Sequence, residues 1–204
     1  TSAILPESGW IATFFEVPFR FMEIDHQTRD DLQELAPLLE RALPRIMDEF
    51  YAHMRNFPNL TAKFRREDGM SRARNAQLEH WRRLFNGTFD SDYLESVRRV
   101  GRCHVDVGLE PSWYLGGYTF CLGRLFAVIS TAYPETPFKA RAEKRASFQH
   151  ALIRAVMFDI QAALSTYLEA YEARKREAMA QMLESFERTV GEVVEDVTGS
   201  AAEM

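Results

Sequence analysis

The chain has 204 residues, 46% hydrophobic and 27% charged, enough apolar content for one packed domain and too much for a disordered chain. Lys and Arg number 25 against 30 acidic residues, and the resulting net charge of −5 excludes the basic face of a dedicated nucleic-acid binder. Two cysteines, Cys103 and Cys121, exclude a disulfide framework and fit a reducing cytoplasm.

Residues 1–24 carry Trp10, Phe14, Phe15, Phe19 and Phe21 without clear period, and Pro6 and Pro18 break them into short helical pieces laid on a core. No secretory leader pattern opens the chain, so a cytoplasmic location is expected. From Thr28, with Asp31 three residues on as a capping box, apolar residues recur at Leu32, Leu35, Leu39, Leu43, Ile46, Phe50 and Met54. Pro37 and Pro44 fall inside this stripe, which predicts two helices meeting near Pro37 and the second one bent. The next helix runs from about Ser71 to Phe85, with Ala73, Ala76, His80, Trp81 and Leu84 on one side, and Asn86-Gly87 stops it. A further helix opens near Ser91 on the stripe Tyr93, Val97, Val100, His104, Val107 and ends at Gly108.

Pro111 starts the following helix, Ser112 to Tyr133, which is nearly all apolar or small. Its length matches a bilayer span, but Arg124 near its centre costs about 2.5–3.5 kcal/mol on insertion scales, and basic flanks are missing. The expectation is therefore no membrane span and a helix buried on two sides. Beyond Pro137 no proline or glycine occurs before Gly191, and an unbroken helix from Phe138 to Thr189 would reach about 75–80 Å. A compact domain of about 160 residues has a radius of gyration near ~15 Å, so this helix must project. Its first half carries a wide core stripe from Leu152 to Tyr171, the charged stretch Glu169 to Glu177 reads as a solvated neck, and Met179, Leu183, Phe186, Val190, Val193 and Val197 form a heptad seam that needs a partner chain. The opening Thr1 and the seam running toward Met204 are read as a piece of a longer protein. The fold class is all-α, with about eight helices and no strand pattern.

Hydrolytic and bare-metal motifs are missing: there is no G-x-S-x-G, Gly-rich phosphate loop, C-x-x-C or H-x-x-x-H pair, and Cys103-His104 lacks the earlier cysteine of covalent haem attachment. Noncovalent haem needs only one axial histidine on a rigid helix in an apolar setting, and His104 meets both demands. Alone, a histidine on an apolar face is more often a satisfied core residue. His80 reads as a surface or pocket-rim histidine, and both cysteines read as small buried fillers.

The run His104-Val-Asp-Val-Gly108-Leu-Glu-Pro111-Ser-Trp113-Tyr114-Leu-Gly-Gly-Tyr118 resembles the proximal region of the globin-coupled sensors, and Phe50-Tyr51 is similar to that family's distal pair. The similarity covers roughly residues 28 to 170. It implies a globin-like fold with noncovalent haem b, His104 as the proximal iron ligand and Tyr114 as its hydrogen-bond partner. Tyr51 would be the distal donor to bound oxygen, and Phe50, Ala73, Ala76, Val100, Val107, Trp113 and Tyr114 would line the haem. The distal threonine of the aerotaxis members falls at Ala76, which cannot donate, leaving Tyr51 alone or Asn75 or Gln77 turned inward. The segment Phe186 to Met204 resembles the entry helix of chemotaxis signalling domains. The resemblance thus implies a non-enzymatic sensor of oxygen or another diatomic gas, acting as a homodimer on a downstream signalling domain and chemotaxis kinase complex. A diguanylate cyclase output, or a haem globin acting on its ligand, is the alternative. The expected division is an N-terminal extension (1–27), a haem sensor domain (28–171) and a neck with the start of a signalling coiled coil (172–204).

Overall fold

The computed structural model describes residues 16–202 apart from Arg65 and Thr136, with side chains described as far as Val193. Trp10, Phe14 and Phe15 lie outside the described residues. After a helical stretch at 16–21, six helices follow: α1 (His26–Met54), α2 (Pro58–Thr61), α3 (Gly69–Phe85), α4 (Ser91–Asp106), α5 (Pro111–Ala132) and α6 (Lys139–Ala202). No strand occurs among the described residues, in keeping with the expected fold class.

The first long helix departs from expectation at its start and in its middle. Its cap is Asp25, whose carboxylate accepts from the Thr28 backbone N–H at 2.8 Å and from the Thr28 hydroxyl at 2.9 Å. Asp31 is drawn away from any capping role by α6, accepting from the Ser147 hydroxyl and the Lys144 ammonium. The break expected near Pro37 is absent, and α1 runs through both prolines. Each interior proline costs about 3 kcal/mol. Leu32, Leu35, Leu39, Leu43, Ile46 and Met47 are each no more than 1% exposed, and a fully buried side chain of this kind contributes about 1.5–3 kcal/mol. Continuity of the buried face therefore wins. The proline carbonyls find donors in Arg41, to Pro37 at 3.1 Å, and Arg74, to Pro44 at 3.4 Å.

Helix α1 packs against α3, α5 and α6, and Phe19 and Ile24 join the same core from the segment before it. Phe19 sets its ring edge-on to Phe89 and Phe158, each at 5.2 Å between centroids. The most extensive pairing is α4 on α6. Gly101 makes it possible: a Cβ there would stand 2.6 Å from the Ala163 carbonyl oxygen and 3.0 Å from the Thr166 Cβ. Helix α6 grips α4 again at its end, where Arg174 donates to the Val105 carbonyl (2.9 Å) and the Asp106 carboxylate (2.7 Å). The neck is thus not wholly solvated as expected, because the open carbonyls of a helix C-terminus attract a cation.

Helices α5 and α6 are each long and apolar enough to cross a membrane by length and composition. Helix α5 buries Tyr118, Cys121, Leu125 and Ile129, while Arg124 donates to Glu49 of α1 at 2.9 Å and stands 3.3 Å over the Phe120 ring. Burial on two sides is not achieved in a single chain: Leu115 is exposed, and a Cβ on Gly116 or Gly123 would meet open space. The 64-residue α6 continues past Gly191 without a break, as a projecting helix with Met179, Leu183, Phe186, Val190 and Val193 all exposed; Val197 lies outside the described side chains. Cys103 is exposed, contrary to its reading as a buried filler, because it lies off the core stripe of α4.

Gly101→Ala tests the α4–α6 crossing. Helix propensity alone would favour alanine by about 0.5–1 kcal/mol, but the clash with backbone oxygen should dominate and destabilise the chain by about 1–3 kcal/mol in urea unfolding.

Candidate functional site

Local sequence chemistry places His104 in the last turn of α4. Asp90 caps the helix start by accepting from the Tyr93 N–H at 2.8 Å. At the other end Gly108 takes φ +63°, a left-handed turn that glycine enters without strain, while the Gly108 and Leu109 N–H groups close onto the Val105 and His104 carbonyls. Pro111 then opens α5, directing Trp113 and Tyr114 back toward α4. His104 is half-buried. Burial, followed by the charge of His80, pulls its pKa down to about 4, so the imidazole is neutral at pH 7 with a ring nitrogen lone pair available.

The Tyr114 ring lies 4.8 Å from the His104 ring, tilted by 59°. The expected hydrogen bond between them is not made: the Tyr114 hydroxyl donates instead to the Tyr118 hydroxyl at 3.0 Å, because a buried carboxylate beyond Tyr118 draws the chain that way. Of the other expected lining residues, Phe50, Ala73, Val100 and Trp113 are half-buried, whereas Val107 and Ala76 are exposed. Phe50 reaches α5 because Gly117 has no side chain; a Cβ there would press on the Phe50 ring at 3.3 Å. Around it gather Phe120 at 5.6 Å and Tyr51 at 5.2 Å, while Trp113 packs on Phe57 at 5.6 Å and His53 stacks on Phe120 at 5.0 Å. Tyr51 is buried, and burial, then Cys121 nearby, pushes its phenol well above the ordinary value, so it stays a donor. On α3 the inward line passes through Ala73, Gln77 and Trp81, while Asn75 is exposed beside Arg74.

Sequence reasoning missed the polar cluster behind this region. Asp159, wholly buried on α6, accepts from Tyr93 at 2.6 Å through Oδ1 and from Tyr118 through Oδ2, and lies 3.0 Å from His80 Nε2. His80 is no rim residue: it is buried, with Nδ1 3.3 Å from Ser96 Oγ and its ring stacked on Tyr93. Burial works against both charges, but mutual attraction and hydrogen bonds win, raising the His80 pKa and lowering that of Asp159. The pair is therefore ionic at neutral pH, with His80 donating through both nitrogens. The one available signal in the sequence was an acid inside the apolar stripe Val156, Ile160, Ala163.

Among the described residues no group of three His, Cys, Asp or Glu could hold a metal ion. A metal at His104 must therefore bring its other ligands with it, as an iron porphyrin does. A neutral, half-buried imidazole beside half-buried apolar and aromatic side chains fits that group, and a buried phenol at Tyr51 supplies a donor of the kind a diatomic ligand needs.

Removing the buried carboxylate should cost more than any surface change. Asp159→Ala leaves an uncompensated imidazolium and two orphaned hydroxyls, an expected loss of about 3–5 kcal/mol in urea unfolding near neutral pH. The His80 contribution is full below its ordinary value of about 6.5 and fades as pH rises through its raised pKa. The gap between wild type and variant should accordingly narrow in alkaline buffer.

Comparison with known proteins agrees with this arrangement. The chain is 26% identical over 162 residues to the heme-based aerotactic transducer HemAT of Halobacterium salinarum, covering 76% of this chain and 32% of that protein. It thus spans about a third of the length of the curated relative it matches. Its fold matches the globin domain of the Geobacter sulfurreducens globin-coupled sensor with a TM-score of 0.66 at 18% identity, covering 74% of this chain and 95% of that one. The expected globin-like fold is met. The protoglobin family model matches residues 16–173, and the chain belongs to that family.

Proposed function

We propose that this chain is the haem-based gas-sensing part of a dimeric cytoplasmic signal transducer, with oxygen as the foremost ligand. The observation that carries the reading is the neutral, half-buried His104 at the end of α4, set where no other protein groups could complete a metal site. Haem b, held without covalent bonds, would supply an iron that takes up a diatomic gas. His104 would hold the iron, Tyr51 would donate a hydrogen bond to the gas, and Phe50, Val100, Trp113 and Tyr114 would keep water away. With Ala76 unable to donate and Asn75 turned outward, Tyr51 acts alone or with Gln77.

The aerotactic relative and the exposed heptad seam support a chemotaxis-type output over a cyclase. A homodimer is supported by two apolar faces that one chain leaves uncovered. One is the Leu115, Gly116 and Gly123 side of α5; the other runs along α6 through Ile153, Met157, Leu168 and Tyr171 into the seam. No membrane span is needed to explain these faces. The route out of the site is shorter than the Gly108–Pro111 corner alone, since α4 is clamped to α6 at Gly101 and Arg174.

His104→Ala should abolish the Soret band of the haem-loaded chain; a variant with full haem content and an unchanged spectrum would refute the assignment. Tyr51→Phe removes a hydrogen bond worth about 0.5–1.5 kcal/mol, so oxygen should leave several-fold faster in stopped-flow measurements. An unchanged release rate would move the role to Gln77.

A further inference from the structure

The hydroxyl chain behind His104 has a direction. Asp159 is the acceptor at its end: a wholly buried carboxylate, ionised beside the His80 imidazolium, with no proton to give. Tyr118 must therefore donate to Asp159, which leaves its oxygen to accept from Tyr114 at 3.0 Å. Burial and the carboxylate keep both phenols protonated. The Tyr114 proton is then committed away from His104, and what Tyr114 can offer the neighbouring imidazole is a lone pair.

We infer that Asp159 is a positioning residue for the iron ligand: acting through Tyr118, it makes Tyr114 an acceptor only, so that the His104 proton resides on the ring nitrogen nearer Tyr114 and the other nitrogen is free for iron. Nothing in the Asp159 cluster itself touches the iron site; the effect is relayed by two hydroxyls, each polarised by the next. A neutral imidazole has two tautomers, and only one leaves the iron-facing nitrogen unprotonated. Were Tyr114 free to donate, it would stabilise the wrong one. The inference rests on His104 as the haem ligand, yet the tautomer is a property of the chain with or without haem.

Two measurements separate the two ideas. In the haem-free chain, nitrogen-15 NMR should show His104 mainly in one tautomer. Tyr118→Phe, which leaves Tyr93 and His80 on the carboxylate, frees the Tyr114 hydroxyl to donate and should invert the tautomer signature. In the haem-loaded ferrous chain, the iron–histidine stretching band should move to lower frequency in Tyr118→Phe and Asp159→Asn, because Tyr114 becomes a poorer acceptor. Tyr114→Phe should move it at least as far. Ser96→Ala, which loosens the same buried cluster only at His80, should leave the band in place. Should Asp159→Asn fail to fold, Tyr118→Phe carries the test. An unchanged tautomer and band in Tyr118→Phe, or an equal shift in Ser96→Ala, would overturn the inference. Failure of the wild-type chain to take up haem would refute the proposed function, leaving the NMR result to decide the role of Asp159.

Discussion

One buried carboxylate governs how four helices meet. Asp159 enters from α6, Tyr118 from α5, Tyr93 and Ser96 from α4, and His80 from α3, and every polar group in the cluster has a partner. A charge taken fully out of water is tolerable only when hydrogen bonds and an opposite charge replace the lost hydration. That requirement is geometric. It fixes the rotation of each contributing helix about its own axis, which greasy packing alone leaves loosely specified. The helix that carries His104 is among those fixed, so the orientation of the candidate ligand and the integrity of the core share one cause.

The distinction between adhesive and specifying interactions runs through the rest of the molecule. Leucines and isoleucines on α1 supply enough burial to carry the helix across two prolines, yet they would accept several neighbouring arrangements. Gly101 is the opposite case. By omitting a side chain it lets the α4 and α6 backbones come so close that one crossing point is selected, and Arg174 holds the same pair of helices farther along.

Much of this was legible from spacing. The apolar steps of α4 and α6, the glycine after Val107 and the proline after Glu110 announce their helices, and the position of His104 follows from them. What stayed hidden required three-dimensional pairing. His80, Tyr93, Tyr118 and Asp159 are each a single polar interruption in an otherwise apolar stripe, and no spacing rule connects residues up to 79 positions apart. The break expected at Pro37 weighed a local penalty without the tertiary burial that overrides it. The neck read as solvated because Arg174 finds its partners only when α4 lies alongside. Ala76 and Asn75 sit one step off the inward line of α3, a rotation that a gap-free alignment cannot detect.

The length of α6 turns the crossing at Gly101 into a fulcrum. From Ala163 to Val193 the helix extends about 45 Å, so a tilt of only about 2° at the crossing sweeps the far seam sideways by about 1.6 Å. Helix shifts of about 1–2 Å are enough to switch packed interfaces between discrete arrangements. The arm is stiff because each turn is hydrogen-bonded to the next, and it is anchored where the His104 helix ends. Leverage, rather than any large rearrangement of the globular core, is what this geometry supplies.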